Sequence, residues 1–235
     1  MVQIKCIDAA IGYDGKKIAE GISFEVESGD FLCIVGENGS GKTTFMKTLL
    51  GLNKVISGKI EFTDRVTGNK LGYLPQQSEE KRDFPITVEE VVRSGCVGSL
   101  GFRPFLTRSQ KQTARDNMFR LGITSLAKTP FGRLSGGQKQ KVLLARALCA
   151  VDDIILLDEP VSGLDPKATE DMYALVKELN ENHGVTVIMI THDIAAAIKY
   201  SDKVLYMADK PIFFGSAQEY AESSVCALRE EAKNG

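Results

Sequence analysis

The chain lacks any apolar stretch approaching the ~20 residues that cross a bilayer. Its first residues, Met1-Val2-Gln3-Ile4-Lys5, lack the apolar core of a secretory leader. A cytoplasmic location is therefore expected, with any membrane association made through a partner. The sequence also lacks a long basic block: acidic and basic residues are mixed and the net charge is −2, which argues against a dedicated nucleic-acid surface. It has no C-x-x-C pair. Its five cysteines, Cys6, Cys33, Cys96, Cys149 and Cys226, are odd in number and widely spaced, as reduced thiols are. Cys33 and Cys149 sit in apolar runs, where a thiol acts as a small hydrophobe. Internal repeats and low-complexity segments are missing too. What remains, 235 residues of which 43% are hydrophobic and 26% charged, is a globular composition able to bury one sizeable core with a subdomain inserted.

The most informative segment is Gly36-Glu37-Asn38-Gly39-Ser40-Gly41-Lys42-Thr43-Thr44, in which Gly36, Gly41, Lys42 and Thr43 fit G-x-x-x-x-G-K-[ST], the phosphate-cradling P-loop. Its glycines let the backbone curl so that successive N–H groups point at phosphate oxygens. Gly-rich turns also occur by chance, but here the order is strand, loop, helix. Phe31 to Val35 reads as a buried strand, and Lys42 to Gly51 as a helix whose positive end faces the phosphates. Lys42 is expected at the β- and γ-phosphates, and the Thr43 hydroxyl on Mg²⁺.

Short β-like runs precede this loop: Gln3 to Ile7, a turn at Gly12 to Gly15, then Ile22 to Val26. Gly58 to Phe62 and Leu71 to Leu74 suggest a further strand pair, and together these runs predict an antiparallel layer against the P-loop strand. From Thr87 to about Thr129 apolar residues fall at helical spacing, predicting a mostly helical insertion. A helix pattern follows over Lys139 to Ala150. Three β-like runs (Asp153 to Leu157, Thr186 to Ile190, Lys203 to Met207) come next, with a helix over Pro166 to Asn180 between the first two, which implies a parallel sheet. The tail after Ala217 reads as a helix fraying near Lys233-Asn234-Gly235. The expected fold is α/β: a mostly parallel P-loop core over residues 1–80 and 150–235, an N-terminal antiparallel layer, and a helical subdomain over 81–149.

Ile154-Ile155-Leu156-Leu157 runs straight into Asp158-Glu159, carboxylates at a strand end where a parallel sheet faces its ligand. Asp158 is expected to hold Mg²⁺, and Glu159 to polarise a water for attack on the γ-phosphate. Leu134-Ser135-Gly136-Gly137-Gln138 opens the helix that runs to Ala150, so its N–H groups, the Ser135 hydroxyl and the helix dipole form a second anion-binding end. A Ser-Gly-Gly run alone is also an ordinary helix-starting turn.

With the P-loop and Asp158-Glu159 on either side of it, this run resembles the signature motif of ATP-binding cassette (ABC) proteins. The resemblance covers the chain from Tyr13 to His192 and implies the ABC ATPase fold, ATP and Mg²⁺. It implies two cassettes packed head to tail, each signature (Ser135, Gly136, Gly137, Gln138) covering the ATP on the other P-loop, as a homodimer or with a second ATPase subunit. Tyr13 resembles the aromatic that stacks on adenine, though a Tyr beside a turn is also a packing residue. Gln76, in Tyr73-Leu74-Pro75-Gln76, resembles the Q-loop glutamine that touches Mg²⁺ and the attacking water; its neighbour Gln77 lies past the pattern. Ser162-Gly163-Leu164-Asp165 resembles the D-loop, with Asp165 at the dimer contact. His192, after the apolar run ending at Ile190, resembles the switch histidine on the γ-phosphate, and His183 lies in a polar turn without a role.

A one-cassette chain of this length resembles the ATPase of an importer working with separate permease subunits at the cytoplasmic face of the membrane. The stretch Arg82-Asp83-Phe84-Pro85-Ile86-Thr87-Val88-Glu89-Glu90-Val91-Val92 resembles the same region of zinc and manganese uptake ATPases, whose systems include an extracytoplasmic metal-binding protein. It also reads as a turn and helix start, with Thr87 and Glu90 as a capping box. Iron-chelate importers, exporters with separate subunits and soluble ABC proteins are the alternatives. The helical block is expected to offer a groove to a short permease helix.

Overall fold

A computed structural model of the chain describes residues 1–13, 15–63, 71–76, 85–99, 105–150, 153–208 and 213–226. Gln77, the Arg82-Asp83-Phe84 part of the stretch after Gln76, and the fraying end at Lys233 to Gly235 lie outside the described residues. In chain order, β1 (Val2–Tyr13) and β2 (Lys16–Glu27) precede β3 (Phe31–Gly36) and α1 (Lys42–Leu49). Next come β4 (Ser57–Phe62), β5 (Gly72–Leu74), α2 (Val88–Ser94), α3 (Arg108–Arg120) and α4 (Gly136–Leu148). β6 (Ile154–Asp158), α5 (Pro166–His183), β7 (Thr186–Ile190), α6 (Ile194–Tyr200), β8 (Lys203–Met207), β9 (Phe213–Ser216) and α7 (Ala217–Ala221) complete the order.

Every residue of β3, β6 and β7 is buried, as expected of parallel strands covered on both faces. They form the centre of a six-stranded sheet ordered β5-β6-β7-β3-β8-β9, parallel except for the antiparallel β9. Side chains alternate between its two faces. Phe31, Cys33, Val35, Ile155, Leu157, Val187 and Met189 join one hydrophobic cluster with α2, α3, α4 and α5. Leu32, Ile34, Leu156, Ile188 and Ile190 join another, with Phe45, Met46 and Leu49 of α1 and with Ile4, Ile11, Ile22, Phe24 and Val26 of β1 and β2. Those two strands and β4 make a separate antiparallel sheet ordered β2-β1-β4.

Several sequence expectations are corrected by this arrangement. The runs at Gly58 to Phe62 and Leu71 to Leu74 are not a strand pair: β4 joins β1, whereas β5 lies parallel to β6 at an edge of the main sheet. Leu74 packs in the helix-covered cluster and Tyr73 against the other, so both faces of β5 are covered, which a three-residue run does not reveal in sequence. The turn expected at Gly12 to Gly15 is shorter, because Gly12 and Tyr13 still pair with Lys17 and Lys16. The register of β1 shifts between Cys6 and Ala9, where Asp8 takes a φ of 45°, and this irregularity breaks the alternation that would mark a twelve-residue strand. α4 starts at Gly136 with Ser135 as its cap, where the Leu134 to Gln138 run places the helix start, and it ends at Leu148. α6 and β9 were not anticipated. Both are short, and β9 is recognisable only through its pairing with β8.

Within the helical block, the segment after α2 crosses α4 closely. A Cβ built on Gly95 would lie 2.0 Å from the Arg146 carbonyl oxygen, so only glycine permits this approach. Gly95→Ala is expected to destabilise the fold by roughly 1–3 kcal/mol of overpacking. The thermal midpoint should then fall by about 2–4 °C per kcal/mol. An unchanged midpoint in a melting experiment would contradict this close packing.

Candidate functional site

The P-loop connects β3 to α1 at the C-terminal edge of the main sheet. Gly41 caps α1 with a φ of 91° and no side-chain hydrogen bond, so no capping side chain stands between the start of the helix and a ligand. The Lys42 side chain is 7% exposed, and its Nζ donates to the carbonyls of Gly36 (3.0 Å) and Glu37 (2.6 Å). This bonding bends the lysine back over its own loop and holds a positive charge inside the curl.

The loop opens onto a cleft of about 870 Å³, within the range of small-molecule sites. Tyr13, Glu37, Asn38, Gly39, Gly41, Lys42, Thr43, Thr44, Gln76, Glu159 and His192 line it, so residues far apart in sequence converge there. Gly36 and Ser40 belong to the loop without lining the cleft, and Ser40 is buried. The Tyr13 ring is 60% exposed at the rim, which favours stacking on a planar ligand over a packing role. Ile18, also on the lining, was not anticipated; an isoleucine in a strand carries no signal separating it from core.

Parallel pairing sets Asp158 opposite Ile190, which brings β6 and β7 to the same edge as the P-loop. Asp158 is 1% exposed. Burial, followed by the adjacent Glu159 charge, pushes its carboxyl above the ordinary carboxylate range, while the Thr43 and Tyr73 hydroxyls and Lys42 pull it back. The Tyr73 hydroxyl lies 3.5 Å from Oδ2, and among the described residues Oδ1 has no hydrogen-bond partner. In the sequence Tyr73 carries no signal beyond its place in the run ending at Gln76. A buried carboxylate oxygen without a donor, beside a threonine hydroxyl, is a hard-oxygen arrangement suited to Mg²⁺.

Glu159 sits next to it with a φ of 49°, in the left-handed region. Its Oε2 accepts a 2.8 Å hydrogen bond from Gln76 Nε2, and His192 Nδ1 lies 3.8 Å from the same oxygen. Three candidates from β6 and the ends of β5 and β7 therefore meet around one carboxylate. Gln76 engages Glu159 directly here.

The signature residues are not brought into this cleft. Ser135 caps α4 in a reciprocal box: its Oγ accepts from Gln138 N (3.3 Å) and its own N–H donates to Gln138 Oε1 (3.0 Å). Because that Oγ accepts, its proton can still be donated outward. The exposed Ser135 and Gly136 turn the helix tip toward solvent. A Cβ on Gly136 would lie 3.2 Å from Leu164, and one on Gly137 3.1 Å from Ala168, so the tip packs on the D-loop segment and on α5. Asp165 caps α5 through Ala168 N (2.9 Å) and also lies outside the cleft. All five cysteines are buried and none forms a disulfide, and Cys33 and Cys149 lie in the apolar settings that their sequence runs suggested.

The raised Asp158 carboxyl has a consequence for stability. A folded-state value above the unfolded one means this group favours the fold below the unfolded value and disfavours it as pH rises through the folded value. Asp158→Asn is therefore expected to raise the melting midpoint at neutral pH in EDTA, by roughly 2–4 °C for each kcal/mol relieved. A lower midpoint than the parent would contradict the charge penalty.

The family model described as "ABC transporter" matches residues 19–162. The zinc uptake system ATP-binding protein ZurA of Listeria innocua is 37% identical over 217 residues, covering 88% of this chain and 83% of its own length. The manganese transport system ATP-binding protein MntB of Bacillus subtilis is 34% identical over 223 residues, covering 93% and 88%. Among solved structures, cbiO1 of Clostridium perfringens, part of the ABC transporter complex cbiONQ, superimposes with a TM-score of 0.81 at 26% identity, over 97% of this chain and 94% of its own. The phosphate loop, the strand-end carboxylates and the capped Ser-Gly-Gly tip thus occur together in a chain that belongs to the ABC transporter family, as one of its ATPase subunits.

Proposed function

We propose that this chain is the ATP-hydrolysing subunit of an importer of a divalent metal, zinc or manganese. The observation that carries the ATPase part is the convergence of Lys42, Thr43, Gln76, Glu159 and His192 on one cleft. The zinc and manganese uptake proteins similar to it support the choice of cargo. Residues 81–149 serve as the helical subdomain that meets the permease. The site works at the cytoplasmic face of the membrane, held there by permease subunits, with an extracytoplasmic binding protein delivering the metal. Among the described residues no helix is long and apolar enough to cross a membrane itself.

In this reading Tyr13 stacks on the base. The N–H groups of Gly39 to Thr44 and the Lys42 ammonium hold the phosphates. Thr43, Asp158 and Gln76 would hold Mg²⁺, which would supply positive charge to offset that of the phosphates. Glu159, oriented by Gln76, takes the proton of the attacking water, and His192 contacts the γ-phosphate. Ser135 to Gln138 and Asp165 lie outside their own cleft, which supports a dimer in which each signature tip covers the nucleotide on the partner's P-loop. Closing on ATP and reopening after hydrolysis drives the permease.

Glu159→Gln keeps the shape of the side chain and its Gln76 contact but removes the base. It is expected to bind ATP as the parent does and hydrolyse it roughly 10²–10⁴-fold more slowly. In cells lacking the native gene, the parent chain should restore uptake of radioactive zinc or manganese, and Glu159→Gln should not. Restoration of neither metal by the parent chain would overturn the cargo, and parent-like turnover by Glu159→Gln would overturn the base.

A further inference from the structure

Glu159 is held in a conformation that its own chemistry disfavours. Among the described residues only Asp8 and Glu159 are non-glycine residues at positive φ, and such a backbone costs on the order of 1–3 kcal/mol. The surrounding structure must supply the restraint. Upstream, the Glu159 N–H donates to the Ile190 carbonyl (3.1 Å), and its carbonyl accepts from Ser162 N (3.1 Å). Downstream, the carbonyl of Pro160 accepts a 2.6 Å hydrogen bond from Nε2 of Gln140.

Gln140 is a polar side chain only 1% exposed, and it belongs to α4, the helix capped by Ser135. At a rise of about 1.5 Å per residue it lies about 7.5 Å along the axis from the helix tip. One rigid element therefore carries both the serine tip and the amide that fixes the peptide after Glu159. We propose that Gln140 is a positioning residue for Glu159: it locks the left-handed backbone there and transmits the position of the α4 tip to the carboxylate of its own chain. This rests on the dimer reading above, in which that tip rests on the nucleotide of the other cleft. Seating α4 at one cleft then reaches the base of the other without a residue contacting both nucleotides.

The test uses the full chain with Gln140→Met, which retains volume but leaves the Pro160 carbonyl without its donor. Gln140→Asn keeps an amide but withdraws it by one methylene, and it replaces the Met variant if that melts too low. The expected result is a kcat at least tenfold lower, with KM and the affinity for a fluorescent ATP analogue within twofold of the parent. Amide exchange of the segment around Glu159 to Ser162 should accelerate. On a Glu159→Gln background the same substitution should change the residual single-turnover rate less than twofold, because residues acting as a unit are not additive. A tenfold loss on both backgrounds would assign Gln140 to the integrity of α4 instead, and a parent-like kcat would remove it from catalysis. The dimer reading has its own readout, ATP-dependent dimerisation of Glu159→Gln by size-exclusion chromatography. Its failure leaves the non-additivity measurement intact.

Discussion

The site depends on the parallel pairing of β3, β6 and β7. Parallel strands run their C-terminal ends to one edge, so the glycine loop after β3, the carboxylates at the end of β6 and the histidine after β7 are delivered side by side. Burial of both sheet faces holds that register, since a slip of one residue would exchange the sets facing the two hydrophobic clusters. Stability and chemistry share one constraint here.

The same edge concentrates what is unfavourable in the fold. Asp158 is a carboxylate in a place that disfavours its charge, and Glu159 holds a backbone that side chains seldom adopt. Gln76 and Gln140 are the compensations: one orients the Glu159 carboxylate and the other anchors the adjacent peptide. Strain supported by neighbours in this way is characteristic of reactive positions. The signature tip shows the complementary economy, because its cap leaves a hydroxyl proton and helix N–H groups facing outward.

Local order in the sequence made much of this legible. The glycine loop, the apolar run into Asp158-Glu159 and the Ser135 to Gln138 helix start are contiguous, and each implies its own backbone geometry. Gln76 and His192 were legible through resemblance, and the cleft brings both to Glu159. β5 was misplaced because three residues carry too little pattern to assign a sheet. Ile18 on the cleft, Tyr73 beside Asp158 and Gln140 bonded to Pro160 carry no sequence signal, because an isoleucine in a strand, a tyrosine in a short run and a glutamine in a helix look ordinary until their neighbours are known.

By itself, then, the chain's order of residues determined that a phosphate loop opens a helix, that two acids end a buried strand and that a capped helix begins at Ser135. Those are short-range consequences of backbone freedom, apolar runs and capping. Only the tertiary structure decided that Glu159, Gln76 and His192 share one cleft, that the signature tip stays outside it, and that Gln140 reaches Pro160. These depend on strand order and helix packing, which couple residues tens of positions apart through space and leave no local trace.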